Sequence, residues 1–195
     1  LGDVYKRQVP VVSSTTGAAV SNAAVILSAD NSTSGISALT GGRTDFAVYR
    51  NGVLSSVSAL RRNDVVTYDA SSNTLYACDT RVAVYYEACD PSPSAPSSIT
   101  VLNGTQFTVL PTAQESLSKF KPGKTMTLLL TSDGSVAGAV DSENSARANA
   151  VGVVDSNGKL QMFCGSSIIE IAGTYSEYSG KLVGISASKD KTVSL

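Results

Sequence analysis

The triplet Gly123-Lys124-Thr125 is the stretch of this sequence that most directly suggests chemistry. In nucleotide hydrolases the same triplet ends a phosphate-binding loop, G-x-x-x-x-G-K-[ST], which lies between a strand and a helix. Here Ser118 stands where the first glycine should be, and the residues from 125 onward read TMTLLL, which is typical of a strand. Without a helix N-terminus, a phosphate would lack both the helix dipole and a row of free N–H groups. We therefore predict that Lys124 opens a hairpin strand and binds no nucleotide.

A second pair of patterns resembles a lysine-activated serine site. Ser116 and Lys119 match S-x-x-K, and Ser132-Asp133-Gly134 is loosely similar to S-D-N, two motifs that occur together in penicillin-binding enzymes. The two patterns lie close together in the chain, no K-T-G follows them, and no large helical domain is present. We interpret both as structural and predict no catalytic residue.

The carboxylates and loop oxygens offer weaker candidates. Asp141 and Glu143 could form a glycosidase carboxylate pair, but acids that follow a strand are usually solvated. The runs DNSTSG (30–35) and DSNG (155–158) carry oxygens that calcium could use, yet neither fits the twelve-residue calcium loop. Turn formation explains these runs better, and we predict neither a metal site nor a cofactor.

The remaining reactive or ring-bearing candidates are tyrosines and cysteines. Tyr85 and Tyr86 could stack on sugar rings, but in a strand one of them should face the core and the other the surface. The spacing of Cys78, Cys89 and Cys164 fits no CxxC motif. Buried thiols are the preferred interpretation, and a Cys78–Cys89 disulfide or a reactive thiol are the open alternatives.

The composition narrows the possible functions. The chain of 195 residues has no histidine, so a Ser-His-Asp triad, a Cys-His dyad and a His-ligated zinc are all excluded within it. A net charge of −1 and a content of 16 % charged residues do not predict the strongly basic surface that nucleic-acid binding requires. No apolar run approaches the ~20 residues of a membrane-spanning helix.

Strand-turn-strand patterns dominate the chain and must position any of these side chains. Segments 124–130 and 135–140 are predicted to form an antiparallel hairpin, and so are 181–187 and 191–195, because the spacing from lysine to aspartate recurs. A looser copy lies at 63–75. Asp133-Gly134 is a hairpin turn signal, because type I′ geometry needs positive φ. The other predicted turn pairs are Asn51-Gly52, Asn103-Gly104 and Asn157-Gly158.

Helical signals are few. The run PTAQESLSKF predicts one or two turns, with Thr112 as N-cap and Glu115 completing a capping box. The run SSVSALRRND (55–64) predicts a similar turn, and SNAAVILSAD (21–30) fits either a short helix or a buried strand.

We therefore predict an all-β chain of tandem small barrel-like or sandwich-like units, each with about five short strands. The units are 9–80, 81–143 and 144–195, and truncation of the last unit stays an open alternative. Residues 1–8, LGDVYKRQ, resemble translated sequencing-adapter sequence, so we expect them to be an artefact and the chain to be a fragment. Units of this size bury only ~60 % of their unfolded surface, so we expect them to pack on one another.

Four stretches carry a family resemblance: FAVYRNGVLSSVSALRRNDVVTYDASSNTLYACDTRV, PSPSAPSSITVLNGTQFTV, FKPGKTMTLLLTSDGSVAGAV and AVGVVDSNGKLQMFC. In this order they resemble a β-rich region of surface proteins from gut Clostridia that usually also carry S-layer homology (SLH) domains. The resemblance spans most of residues 43 to 195. It brings no catalytic residues, and the chain contains no S-layer homology module.

The resemblance implies a non-catalytic spacer segment of a secreted, cell-wall-associated S-layer-type protein. The implied location is the cell surface, and the implied partners are a cell-wall polymer or neighbouring surface-protein domains, with no nucleic acid and no membrane span. The alternative is a glycan- or peptidoglycan-binding module beside an enzyme domain outside this chain. Surface tyrosines gathered in one groove would favour the alternative. The oligomeric state stays open.

Overall fold

The structure is a computed structural model that describes residues 23–141, 147–187 and 193–195. Short strands are the main regular secondary structure of these ranges, so the predicted all-β class is confirmed. The strands, numbered along the chain, are β1 Val25–Ile26, β2 Ala47–Arg50, β3 Val53–Ser55, β4 Val65–Asp69, β5 Thr74–Cys78, β6 Arg81–Tyr85, β7 Ala88–Asp90, β8 Ser98–Val101, β9 Thr105–Thr108, β10 Thr125–Leu130, β11 Val136–Val140, β12 Val151–Val154, β13 Leu160–Cys164, β14 Ser167–Ile171, β15 Leu182–Gly184, β16 Ser186–Ala187 and β17 Val193–Ser194.

The first sheet has five strands in the order β1-β4-β5-β2-β3. Its centre is the β4–β5 hairpin, in which Val65 lies opposite Cys78 and Asp69 opposite Thr74, so the predicted hairpin within 63–75 is confirmed. β2 runs parallel to β5, and every other pair in the sheet is antiparallel. One face of the sheet covers a core of its own, which contains Leu27, Ile36, Val48, Leu60, Val66, Tyr68, Leu75 and Ala77.

The predicted hairpin of 124–130 and 135–140 is also confirmed. β10 pairs antiparallel with β11 on one side and with β6 on the other. The turn is not type I′, however, because Gly134 (φ 87°) has positive φ and Asp133 does not. Gly134 N–H donates to the Thr131 carbonyl at 3.0 Å, so a tight turn ends in a left-handed glycine. The Asn157-Gly158 turn is built alike, whereas Asn51 and Gly52 both have positive φ, as type I′ requires.

The second predicted hairpin forms only in part. β16 pairs antiparallel with β17, but β15 instead pairs with β12 in a four-stranded sheet of order β14-β13-β12-β15. The segment between β16 and β17, residues 188–192, lies outside the described residues. Strands β7, β8 and β9 form a further three-stranded antiparallel sheet.

The helices are short, and one predicted cap is wrong. A 3₁₀ turn spans Pro111–Ala113 and α2 spans Gln114–Leu117, so Thr112 lies inside the turn and Leu110 occupies the cap position. The reason is Pro111, whose fixed φ suits the first helical position and moves the start two residues earlier. A 3₁₀ turn over Val57–Ala59 agrees with the predicted turn in 55–64. The helix α1, Ile36–Thr40, was not predicted.

Each sheet lies within one predicted unit, but the buried side chains are shared more widely. A single cluster contains residues from Cys78 to Ile185, drawn from both sides of the predicted boundary at 143/144. That boundary and residues 1–8 lie outside the described residues, so the division into units stays a prediction. In the described part of the chain, no helix has the length and apolar character needed to cross a membrane.

Candidate functional site

The Gly123-Lys124-Thr125 triplet lies at the start of a paired strand. Gly123 (φ 96°) donates its N–H to the Tyr86 carbonyl at 2.8 Å, and the Lys124 carbonyl accepts from the Tyr86 N–H at 2.8 Å. Lys124 is exposed, and β10 rather than a helix begins at Thr125. The backbone groups that would cradle a phosphate are therefore used in strand pairing. The predicted strand is confirmed, and the prediction of no nucleotide binding stays a prediction.

The hydroxyl of Ser116 joins a helix to a sheet. It donates to the Ala113 carbonyl at 3.0 Å and accepts from the Ala139 N–H of β11 at 3.1 Å. A serine nucleophile needs a base positioned on its hydroxyl proton. Here that proton is given to a carbonyl, and Lys119 lies exposed on the surface. The structure thus gives Ser116 a positioning role between α2 and β11.

The Ser132-Asp133-Gly134 pattern forms the β10–β11 turn. Asp133 Oδ1 accepts from the Thr131 hydroxyl and from the Ser135 N–H, and Ser135 N–H also lies 3.0 Å from Thr131 Oγ1. Such side-chain bonds to nearby backbone groups are the ordinary chemistry of turns. The pattern is therefore explained by the turn it builds.

In the two calcium-compatible runs, 30–35 and 155–158, the aspartate oxygens accept hydrogen bonds from backbone N–H groups. Asp30 Oδ1 accepts from the Arg62 N–H at 2.8 Å, and Asp155 Oδ1 accepts from the N–H groups of Asn157 and Lys159 at 2.8 and 2.9 Å. Over the described ranges, no three acidic or cysteine side chains gather in a way that could hold a metal ion. Of the candidate carboxylate pair, Glu143 lies outside the described residues, so its distance to Asp141 is not defined.

A buried ion cluster is the most concentrated electrostatic feature, and the sequence did not indicate it. Arg50 donates from Nε to Asp64 Oδ2 at 2.8 Å and from Nη2 to Asp64 Oδ1 at 3.1 Å. The same Nη2 lies 3.3 Å from Asp79, and Asp64 also accepts from the Arg61 N–H at 2.9 Å. The side chain of Asp64 is 1 % exposed. Hydrogen bonding to Asp64 raises the pKa of Arg50 above its usual range. The three side chains connect the end of β2 with the residue before β4 and the residue after β5.

The tyrosine pair divides as predicted: Tyr86 is buried and Tyr85 is half-buried. The hydroxyl of Tyr86 is buried without a hydrogen-bond partner among the described residues, and burial raises its pKa. A different pair, Tyr175 and Tyr178, lines an open groove of about 280 Å³. The other groove residues are Asn103, Thr174, Glu177, Val193 and Leu195.

Both groove tyrosines are held in place. Tyr175 donates its hydroxyl to the Ala172 carbonyl at 2.7 Å, and burial raises its pKa. The Lys181 ammonium lies 5.7 Å from the centre of the Tyr178 ring, close enough for a cation–π contact on one face. The groove therefore joins two fixed rings to an amide, a hydroxyl and a carboxylate. Such a combination can stack on a sugar ring and hydrogen-bond its hydroxyls.

The three cysteines are free thiols, and two of them are neighbours. Cys78 and Cys164 are both buried, with their Sγ atoms 3.9 Å apart. The open possibility of a Cys78–Cys89 disulfide is not realised, since Cys89 lies on β7 as a free, half-buried thiol. No sequence signal links Cys78 to Cys164, because they stand 86 residues apart.

Comparison of the chain with protein-family models, with curated proteins and with solved structures gave no match.

Proposed function

We propose that this chain is a non-catalytic structural segment of a secreted, cell-wall-associated bacterial surface protein, where it acts as a spacer or coat element. One observation carries the proposal. The described polar side chains of the candidate catalytic motifs act as connectors within the fold. Ser116 joins α2 to β11, and Asp133 and Asp155 each hold a hairpin turn. A set of small sheets whose polar side chains form hydrogen bonds within turns and between elements suits a mechanical role.

The resemblance to a region of S-layer-type proteins supplies the location in this proposal. The buried charges favour the same role, because Arg50, Asp64 and Asp79 fasten separate segments of the first unit together. A segment fixed in this way resists local opening, which is what a spacer exposed to proteases needs.

A retention assay on isolated bacterial cell walls tests the proposal. A spacer should stay in the supernatant after sedimentation with purified sacculi, survive broad-specificity protease under native conditions, and release neither sugar nor peptide from the walls. Release of soluble fragments that Ser116→Ala abolishes would refute the non-catalytic assignment. Rapid cleavage between the sheets would refute the rigid spacer.

The tyrosine groove favours a second candidate function, the binding of a wall glycan. A volume of about 280 Å³ lies near the lower end of small-ligand pockets, roughly 300–1,000 Å³, and suits a single sugar or a chain end. Because Lys181 covers one face of Tyr178, a sugar would have to stack on the other face or on Tyr175.

Titration with oligosaccharides of N-acetylglucosamine distinguishes the two functions. The chain has eight tyrosines and no tryptophan, so tyrosine emission reports binding directly. Glycan binding predicts a saturable change that Tyr178→Ala removes. Tyr49→Ala is the matched control, because Tyr49 stacks on Tyr76 in the first sheet with ring centres 6.1 Å apart. If tyrosine emission does not change during the titration, glycan binding is refuted and the spacer function is the one that remains.

A further inference from the structure

Segments from all three predicted units meet at one buried junction. Cys78 ends β5, Cys164 ends β13, and Cys164 Sγ lies 3.2 Å from the Thr131 carbonyl at the end of β10. The packing is close enough that a Cβ on Gly165 would lie 2.6 Å from the Cα of Ser132. The backbones around the two thiols are therefore held at short distance by their own contacts.

We propose that Cys78 and Cys164 are a disulfide site, and that their oxidation covalently joins the first sheet to the four-stranded sheet. The two Sγ atoms are already in contact at 3.9 Å. A bond requires them to come about 2 Å closer, because an S–S bond is about 2.05 Å long. Both thiols are fully buried, so a bond formed here would be shielded from reducing agents in solution.

The reaction balances with a small-molecule disulfide as the oxidant. One cysteine thiolate attacks a sulfur of the oxidant and releases one small thiol, which leaves a mixed disulfide on the protein. The second cysteine then attacks the protein-side sulfur and releases the second small thiol. Two protein S–H bonds and one S–S bond of the oxidant are lost, and one protein S–S bond and two small-molecule S–H bonds form. Because both thiols are buried, this exchange takes place as the chain folds or when the junction opens.

The two thiols are not equivalent. Hydrogen bonding to Cys78 and burial raise the pKa of Cys164, whereas the hydrogen bond from Cys164 lowers the pKa of Cys78. The thiolate is the attacking species in disulfide exchange, and either cysteine can attack once the junction opens.

The proposed disulfide does not depend on the spacer function. A secreted protein would meet an oxidising environment in which a disulfide persists, but the geometry of the pair is the same in any compartment. Cys89 supplies an internal control, since it belongs to a separate three-stranded sheet.

The test is refolding from urea with glutathione disulfide, followed by alkylation of the remaining thiols and intact mass analysis. We expect one alkylated cysteine per chain, a peptide cross-linked between Cys78 and Cys164, and the same cross-link in Cys89→Ser. A closed loop of this length should raise the Tm on the order of 10 °C over the reduced protein. Reduction of the bond in urea, followed by refolding under reducing conditions, should reverse that rise.

Three results would overturn the proposal. They are alkylation of all three cysteines after oxidative refolding, a cross-link that includes Cys89, and a Cys78–Cys164 bond that leaves Tm unchanged or lowers it. The wild-type chain alone gives the first two outcomes, so they do not depend on the folding of any variant. Cys164→Ser adds the complementary measurement, in which glutathione disulfide should no longer change Tm.

Discussion

Replacement of Asp64 by asparagine should destabilise this protein far more than such a small change in the side chain suggests. Asp64 accepts two hydrogen bonds from Arg50 and one from the Arg61 backbone while its side chain is 1 % exposed. Asparagine keeps the shape but loses the charge, and it turns one acceptor into a donor that faces the guanidinium. Arg50 would then be left partly buried with only Asp79, at 3.3 Å, as a charged partner.

The expected loss is about 3 kcal/mol of unfolding free energy. Breaking a buried ion pair by removing one partner costs ~3–5 kcal/mol, because the remaining charge is left uncompensated. The lower end applies here, since the side chain of Arg50 is 24 % exposed and water can solvate part of it. With a urea m-value of about 2 kcal/mol/M, the unfolding midpoint should fall by about 1.5 M.

The chain contains a matched control for this variant. Arg43 and Asp45 form a similar pair through two 3.2 Å hydrogen bonds, but their side chains are 51 % and 68 % exposed. Solvent screens such a pair, so Asp45→Asn should give no measurable change in the urea midpoint. Urea unfolding followed by far-UV circular dichroism measures both variants, and a common m-value shows that the two curves are comparable.

Equal midpoints for Asp64→Asn and Asp45→Asn would refute the reasoning. A further variant separates a lost ion pair from general disruption of the core. Arg50→Met combined with Asp64→Leu removes both charges, so it should recover much of the loss seen with Asp64→Asn. The recovery should stay incomplete, because the Arg61 N–H then has no acceptor.

Three further outcomes are expected. Gly158→Ala should cost ~2 kcal/mol in urea unfolding, because φ is 76° and a Cβ would lie 3.1 Å from the backbone nitrogen of Ser176 and 2.5 Å from its Oγ. Gly180→Ala, with the same φ of 76° and open space, should cost ~1 kcal/mol, and equal losses would contradict the contact argument. Hydrogen bonds from the Ser71 and Ser72 hydroxyls lower the pKa of Asp69 below 3.8, so its stabilising effect exists at neutral pH and is lost as pH falls through that lowered pKa. The Tm difference between wild type and Asp69→Asn should therefore vanish in strong acid. A difference that stays the same at neutral and acidic pH would contradict this linkage to the Asp69 pKa. Millimolar ATP should not change Tm, and a rise abolished by Lys124→Ala would restore the nucleotide hypothesis.

The parts of the fold that were predictable are those that depend on neighbouring residues. Runs of β-branched and apolar residues on each side of a polar turn predicted the hairpins β4–β5 and β10–β11. The type of turn was less predictable, because an aspartate-glycine pair fits both a type I′ turn and a turn that ends in a left-handed glycine. The hydrogen bonds of Thr131 decide between them at the β10–β11 turn, and they depend on a hydroxyl outside the pair.

The candidate sites were less predictable, since their members are distant in sequence. Arg50 and Asp64 are 14 residues apart and Arg50 and Asp79 are 29 apart, with no motif that marks them. The groove combines Asn103 with residues from 174 onward. A local pattern of residue types contains no information on such contacts, so only the arrangement of the sheets could reveal them.

The junction at Cys78 and Cys164 explains how three sets of small sheets can act as one body. The turn at Gly52 lies against Gly165, where an added Cβ on Gly52 would be 3.4 Å from the Gly165 carbonyl, and the Leu130 N–H lies 3.3 Å from the Thr80 carbonyl. Each of these contacts joins backbone to backbone across predicted unit boundaries. Close backbone approach of this kind tolerates no larger side chain, so Gly165 is required by packing as well as by its φ of 55°. The units therefore meet at a closely packed junction, and a covalent bond there would cross-link segments that already contact one another.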